Sequence, residues 1–327
     1  MTVMNRASCY CLRVAPLFVL LLAGCFGGTS QPARPEAQLR AETALSRGIR
    51  AEQRGDSPEA EKQLAQSLSL STSVEDYPAR ATALINLARL HRLQHDLPKA
   101  ETSIDKALAI AGVDARLLAE AAFEKALIEL AKDRPETALE WANKAIAAEQ
   151  GGALGSRLNL AGRIQLVRGR WSDADALARK ALAENRSAGQ AEEEANSLRI
   201  LGIVARHEKK YDRGTQFLEE ALLIDKRNGI SGKIAADLGE LAETARTAGN
   251  LRESAAYLER AYEVNLAGGR LRQALENQGS LAGLYTTLGE EDKANRARET
   301  ARKLESQQAA PQDPGSSPAT ISPSSRP

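Results

Sequence analysis

Two histidines and an aspartate have a spacing that suits a metal ion. His91 and His95 stand four residues apart, and Asp96 follows directly. Residues four apart share one face of a helix, and imidazole with carboxylate is a ligand set that zinc accepts. The alternative is that His91 packs in a core while His95 lies exposed at a turn. We favour this alternative, and we predict neither a metal site nor a cofactor.

Other signatures of catalysis are missing from the sequence. His207 has no identifiable nucleophile or carboxylate partner, and the chain has neither a Gly-Lys-Ser/Thr phosphate loop nor a His-Glu-x-x-His motif. A nucleophile elbow is also absent. We therefore predict a protein without catalytic residues and without a small-molecule substrate. A hydrolase with a site in a groove stays open as the rival class.

Cys25 is a candidate for lipidation. A short apolar run over residues 14–22 follows the basic residues Arg6 and Arg13, and it ends in the tetrapeptide Leu22-Ala23-Gly24-Cys25. This arrangement resembles the bacterial lipobox, in which the signal is cut before the cysteine and the cysteine is diacylated. The resemblance implies a signal peptide over residues 1–24 and palmitate-type lipid on Cys25. The alternatives are an ordinary secretory signal or a membrane anchor, although the apolar run is short for a span.

The lipid would determine the location of the protein. Two or three acyl chains, at about 0.8 kcal/mol per buried methylene, hold a protein stably on a membrane. Phe26 stands where an Asp retains many proteobacterial lipoproteins in the inner membrane, so the resemblance implies the outer membrane of a bacterial envelope, facing the periplasm. Cys9 and Cys11 would leave with the signal. No disulfide and no cysteine-based metal site is then expected.

The elements that position any site come from a repeat of small residues at intervals of 36 to 40. The first position of each unit is Ala60, Ala100, Ala138, Ala174, Gly214, Ser254 and Ala294. Seven residues later stand Ser67, Ala107, Ala145, Ala181, Ala221, Ala261 and Ala301. Twelve residues earlier stand the small residues Gly48, Ala88, Ala126, Gly162, Gly202, Ala242 and Ala282, where we expect two helices to approach closely. Five residues earlier we expect the turn within each unit, at Gly55, His95, Asp133, Gly169, Lys209, Gly249 and Gly289.

This pattern resembles the tetratricopeptide repeat family, with small residues at motif positions 8, 20 and 27 and apolar residues at positions 4 and 7. The resemblance implies an all-α fold, a right-handed superhelical solenoid of about seven helix pairs over residues 37–306. The mostly 40-residue period exceeds the usual ~34, and most of the motif's aromatic residues are missing. Arg47 and Lys125 stand at expected apolar positions, so the first and third units are the weakest.

The segments that flank the solenoid are polar. Residues 25–36 are predicted to be a lipidated cysteine with a flexible tether, and residues 307–327 a disordered tail rich in Pro and Ser. The whole chain has a formal charge of +1, and removal of two arginines with the signal leaves −1. Without a basic excess, no nucleic-acid partner is expected.

The resemblance also implies where a partner binds. It places motif positions 2, 5, 9 and 12 of each first helix on a concave face. The groove residues predicted in this way are Arg89, Arg92, Phe123, Asn159, Arg163, Asn196, Arg199, Ile203, Arg206 and Arg246. Guanidinium groups on successive helices can bind carboxylates of an extended or C-terminal peptide. The alternative is that these charges are simply solvated.

Together these features favour a non-enzymatic, lipid-anchored periplasmic scaffold that binds protein partners through its groove. A pilus or secretion assembly factor is the more specific alternative, by analogy with envelope lipoproteins of similar build. A purely structural spacer is a third possibility.

Overall fold

A computed structural model of the chain describes residues 35–112 and 114–309. The predicted signal peptide, Cys25 and nearly all of the predicted tether and tail lie outside these residues. Within them the chain forms fourteen helices and no strand: α1 (Glu36–Gln53), α2 (Ser57–Ser73), α3 (Tyr77–Leu93), α4 (Leu97–Ala111), α5 (Ala115–Ala131), α6 (Pro135–Ala148), α7 (Leu154–Val167), α8 (Trp171–Ser187), α9 (Ala191–His207), α10 (Tyr211–Asn228), α11 (Ser231–Thr247), α12 (Leu251–Ala267), α13 (Leu271–Thr287) and α14 (Glu291–Ala309). None of these described helices has the length and apolar character needed to cross a membrane.

The helices form seven consecutive pairs. Each odd-numbered helix packs on the even-numbered helix that follows it, and each pair packs on the next pair. Odd-numbered helices of neighbouring pairs also meet, at α1–α3, α3–α5, α7–α9 and α9–α11, whereas even-numbered helices of the described chain do not meet to this extent. The odd-numbered helices therefore line the inner, concave side. An all-α repeat solenoid is confirmed.

The predicted turns have the backbone that ends a helix abruptly. All seven turn positions have positive φ, from 56° at Asp133 to 90° at Gly249. His95 and Lys209 adopt this left-handed conformation as well, both with φ of 61°. The repeat period thus located the turns even where the residue type is not glycine.

The small residues of the first helices allow close approach, as predicted. A Cβ at Gly202 would lie 2.6 Å from Cγ of Leu218, and one at Gly48 would lie 2.7 Å from Cγ of Leu64. Side chains are therefore sterically excluded at these two contacts between the helices of a pair. The core on either side is mostly Ala, Leu and Ile, buried between successive helices along the described solenoid.

Lys125, which stands at an expected apolar position, is buried and held by three carboxylates. Its Nζ lies 2.9 Å from Asp105, 3.4 Å from Glu101 and 3.3 Å from Glu129. An ion cluster between α4 and α5 thus occupies the place of an apolar contact. The third unit departs from the pattern in sequence but keeps its helix packing.

Candidate protein-binding groove

The ten residues predicted to form a groove all lie on first helices. They are distributed over α3, α5, α7, α9 and α11, the helices that line the concave side. The structure thus places all ten on the concave side's helices, but Asn159 is 3% exposed and is therefore part of the interior and not of the groove surface. Whether they bind a partner stays a prediction, and their contacts within the chain differ sharply from one residue to the next.

Four polar contacts of predicted groove residues, and one of Arg157, bridge one first helix to the next. Arg92 donates to Glu124 at 2.5 Å, Arg157 to Glu120 at 2.6 Å, Asn159 to Glu193 at 2.8 Å, Arg199 to Asp237 at 2.6 Å and Arg206 to Glu240 at 2.6 Å. We call these five contacts the inter-repeat ladder. They join α3, α5, α7, α9 and α11 in sequence. Each contact has at least one partner that is buried or half-buried, and removal of the other partner leaves an uncompensated charge or polar group there. The ladder therefore ties these residues to the architecture of the solenoid.

Glu124 shows how deeply the ladder is embedded. The residue is 1% exposed, and burial raises the pKa of its carboxyl group although Arg92 and Arg89 act to lower it. Arg89 lies 3.8 Å from the same carboxylate, at the edge of ion-pair range. Both predicted arginines of α3 therefore face an acid of this chain.

All three nitrogens of the Arg199 guanidinium donate a hydrogen bond within the chain. Its Nε donates to Asp237, its Nη2 to Asp225 at 2.7 Å and its Nη1 to Asn196 at 2.8 Å. Asn196 accepts a further hydrogen bond from Lys233 at 3.2 Å. Arg199 and Asn196, two of the predicted groove residues, thus form part of a network that joins α9, α10 and α11.

Three further predicted residues, Arg246, Phe123 and Ile203, take no part in the ladder. Arg246 pairs with Glu243 on its own helix at 2.6 Å and stays exposed. Phe123 lies under the guanidinium of Arg157, with 4.4 Å between the ring centre and Cζ. Ile203 is half-buried. The ring and the aliphatic side chain are apolar contact surface within a polar groove.

Arg163 is the exception among the predicted arginines. Its side chain is exposed, and it makes no hydrogen bond or ion pair with any described residue. The pKa of its guanidinium is lowered, first by partial desolvation in the groove and then by the positive charges of Arg199 and Arg92. Glu193 acts in the opposite direction, but it is held by Asn159. Among the residues that the structure describes, the middle of the groove therefore presents one cation without a carboxylate partner.

The candidate metal ligands have separate structural positions. His91 is buried, with Nε2 3.5 Å from Glu61 of α2, whereas His95 occupies the exposed turn. Asp96 accepts from the backbone N–H of Lys99 and caps α4. Among the described residues no group of three or more His, Cys, Asp or Glu side chains is placed to hold a metal ion. His207 stacks on Trp171 with 3.8 Å between ring centres.

Sequence reasoning missed a buried polar series at the inter-repeat interfaces. Asn185, Asp225 and Asn265 stand 40 residues apart near the ends of second helices, and each has a polar counterpart twelve residues later on the next first helix. Asn185 donates to Ser197 at 3.1 Å and Asn265 to Asn277 at 2.8 Å. The recurrence of polar residues every 40 positions, at places where a solenoid is usually apolar, could have predicted this hydrogen bonding from the sequence.

Comparison with known proteins agrees with this fold. Residues 39–112 match the model of the tetratricopeptide repeat family. No curated protein matches the chain in sequence. Among solved structures, a Rap protein in complex with competence and sporulation factor is similar with a TM-score of 0.63 and 14% identity, over 82% of this chain and 77% of that one.

Two further solved structures are similar in the same way. A signal transduction ATPase with a tetratricopeptide repeat sensor, from Pyrococcus horikoshii, has a TM-score of 0.63 and 18% identity, over 82% of this chain and 43% of that one. PilF of Pseudomonas aeruginosa has a TM-score of 0.52 and 16% identity, over 75% of this chain and 100% of that one. At these identities the likeness concerns the fold alone.

Proposed function

We propose that this chain is a non-enzymatic scaffold, held on a bacterial membrane by lipid on Cys25, that binds a protein partner through its concave groove. The observation that carries the proposal is Arg163. It is the predicted groove arginine whose guanidinium has no partner among the described residues, while its neighbours in the groove are engaged in the inter-repeat ladder. A carboxylate from an acidic peptide segment would accept a charge-assisted hydrogen bond from this guanidinium.

The inter-repeat ladder supports the proposal of a binding groove because it holds the first helices in fixed positions. Bridges from α3 to α11 fix the spacing of the first helices, so the groove is formed before a partner arrives. Preorganisation lowers the entropic cost of binding. Phe123 and Ile203 add apolar contact beside the cation, a combination of charge and apolar surface that is common in protein interfaces.

The test is crosslinked capture from envelope extract with the full chain and two charge-reversed variants. Arg163→Glu removes the free cation, and Arg227→Glu is the matched control on the second helix α10, where the exposed Arg227 has no described ion pair. We expect the partner to be lost with Arg163→Glu and kept with Arg227→Glu. Changing the partner's acidic residue to Lys should restore binding to Arg163→Glu. Equal capture by both variants would contradict the proposal.

Arg163 is the groove arginine whose charge can be reversed with the least effect on the fold. Arg199 and Arg206 are half-buried and engaged in the ladder, so their reversal would disturb the fold and not merely the groove. Arg163 alone separates binding from stability.

An assembly factor for a type IV pilus is the second candidate. PilW, described as a widely conserved type IV pilus biogenesis factor, has a TM-score of 0.51 with 15% identity. PilW thus shows that this kind of fold occurs in a type IV pilus biogenesis factor. Identification of the captured partner as a pilus or secretin component would favour this candidate over a general scaffold.

A further inference from the structure

The groove opens between α11 and α13 into a cleft that the inter-repeat ladder does not cross. Its volume is about 560 Å³. Unlike α9 and α11, the helices α11 and α13 do not meet closely. Within the described chain no side-chain hydrogen bond or ion pair joins these two helices.

Missing side chains keep the cleft open. Gly239 occupies the repeat position that Arg199 occupies one unit earlier, and Gly283 occupies that of Ile203 two units earlier. A Cβ at either glycine would meet nothing within 4 Å. Close packing therefore does not explain why glycine stands at these two positions. Glycine is also a poorer helix former than alanine, so helix stability does not explain it either. The two residues weaken their helices and leave space at the surface of the groove.

The lining is apolar at its base and polar at its rim. Leu251 and Leu258 of α12, with Ala242 and Leu284, form the apolar part. The rim carries Glu243, Arg246, Ser280 and Thr287. This combination matches an occupant with an apolar end and a polar frame.

Ser254 adds a second, independent observation. The residue lies in the lining of the cleft and is 1% exposed, and its hydroxyl has no hydrogen-bond partner in the described chain. A buried hydroxyl without a partner is costly, and a ligand that brings a polar atom would satisfy it. A hydrocarbon chain has no such atom, whereas a peptide has one at every residue.

We infer that this cleft, defined by Gly239, Gly283 and Ser254, receives a bulky apolar side chain from the partner's peptide segment. The inference rests on the proposed function and names a second anchor beside Arg163. First helices pack about 8–10 Å apart, so α7 and the cleft are separated by about 20–25 Å. An extended chain covers this distance in about six to eight residues. The partner segment is thus expected to carry an acidic residue and a Leu- or Phe-sized residue at about that spacing.

The cleft is tested directly with small amides by saturation-transfer NMR on the full chain. The probes are N-acetyl-L-leucinamide and N-acetyl-L-phenylalaninamide, with N-acetyl-L-alaninamide as the short control. Gly239→Leu combined with Gly283→Leu fills the cleft. Gly279→Leu is the matched control, because Gly279 is also open on α13 but does not line the cleft. Thermal unfolding of each variant verifies that it is folded.

We expect transfer to the leucine and phenylalanine probes with the wild type and with Gly279→Leu, and at least a fivefold loss in the filled variant. No transfer in the wild type, or full transfer in the filled variant, would overturn the inference. Binding of octanoate without binding of the amides would overturn the inference and would indicate a lipid chain as the occupant of the cleft. If the amides do not bind, and the wild type self-associates while the filled variant does not, the inference is overturned and a second copy of the chain is the occupant.

These probes do not depend on Arg163. If Arg163→Glu keeps amide binding and also keeps the partner, the proposed function fails while the cleft stands. If the amides fail to bind but Arg163→Glu loses the partner, the cleft fails while the groove stands.

Discussion

Asp225 and Asp237 share a single guanidinium, that of Arg199. Both aspartates are 0% exposed, and in each one carboxylate oxygen has no hydrogen-bond partner among the described residues. Two carboxylates beside one guanidinium in a dry interface cannot both be ionised cheaply. Burial, together with the charge of Asp225, raises the pKa of Asp237 to about 7, although Arg199 acts to lower it. We infer that the pair holds one proton below neutral pH.

The first prediction concerns stability against pH. An unfolded Asp has a pKa near 3.9, so between that value and about 7 the native state holds a proton that the unfolded state has lost. The free energy of unfolding should therefore fall as the pH rises through this window, by about 2–4 kcal/mol in total. Urea unfolding from pH 5.5 to 8 measures the upper part of this fall.

Asp237→Asn provides the control for that measurement. The amide cannot ionise, so the variant should lose this part of the pH dependence and gain stability at pH 8. The difference between the variant and the wild type removes the contribution that all other titratable groups make to the pH dependence. A pH dependence that is the same in both proteins would count against the shared proton.

The second prediction separates a structural arginine from an available one. Arg199→Gln would leave two buried carboxylates without their cation and should cost about 3–5 kcal/mol of unfolding free energy. Arg163→Gln removes a side chain without a described partner and should change stability by less than about 0.5 kcal/mol. Urea midpoints of the two variants test this contrast. Comparable losses would show that Arg163 also supports the fold.

The third prediction contrasts two kinds of glycine. Gly239→Ala and Gly283→Ala add a Cβ into open space on a helix and should each stabilise the protein by about 0.5–1 kcal/mol. Gly202→Ala would place a Cβ 2.6 Å from Leu218 and should destabilise it by about 1–3 kcal/mol. Thermal unfolding gives the sign in each case. Destabilisation by all three changes would mean that the cleft is packed in solution.

The fourth prediction concerns the membrane anchor. Cys25→Ser removes the thiol that the lipobox resemblance marks for acylation. The variant should fail to incorporate an alkyne-labelled palmitate and should leave the membrane fraction, because no other anchor is expected. Membrane association that survives the change would contradict lipid anchoring through this residue. The fold of residues 35–309 should be unaffected, which circular dichroism can verify.

The architecture was predictable because each repeat has the same steric requirements. Gly48 and Gly202 mark helix contacts that exclude a side chain, and the turn residues share positive φ. Even Lys209, an unusual residue for a left-handed turn, was located by the period alone. In a regular solenoid every unit repeats the same helix contacts and turns, so the spacing of residues in the sequence predicts the architecture. This is why the predicted turns and helix contacts agree with the structure.

The electrostatics of the groove were not predictable to the same degree. Arg89 and Arg163 stand at the same motif position of their units, yet Arg89 lies 3.8 Å from Glu124 whereas Arg163 has no partner among the described residues. The difference depends on which residues of the following helices lie opposite each side chain, and a motif position does not specify that. Lys125 illustrates the same point, since its carboxylates come from α4 as well as from its own helix.

The most direct test of groove binding uses a photoreactive amino acid on each side of the solenoid. p-Benzoylphenylalanine at Ile203 lies in the groove, and at Leu223 it lies on the second helix α10, where the residue is 49% exposed. We predict that the partner crosslinks to the Ile203 position and not to the Leu223 position, and that Arg163→Glu abolishes the crosslink. Crosslinking at Leu223 with none at Ile203 would contradict the concave groove as the binding surface.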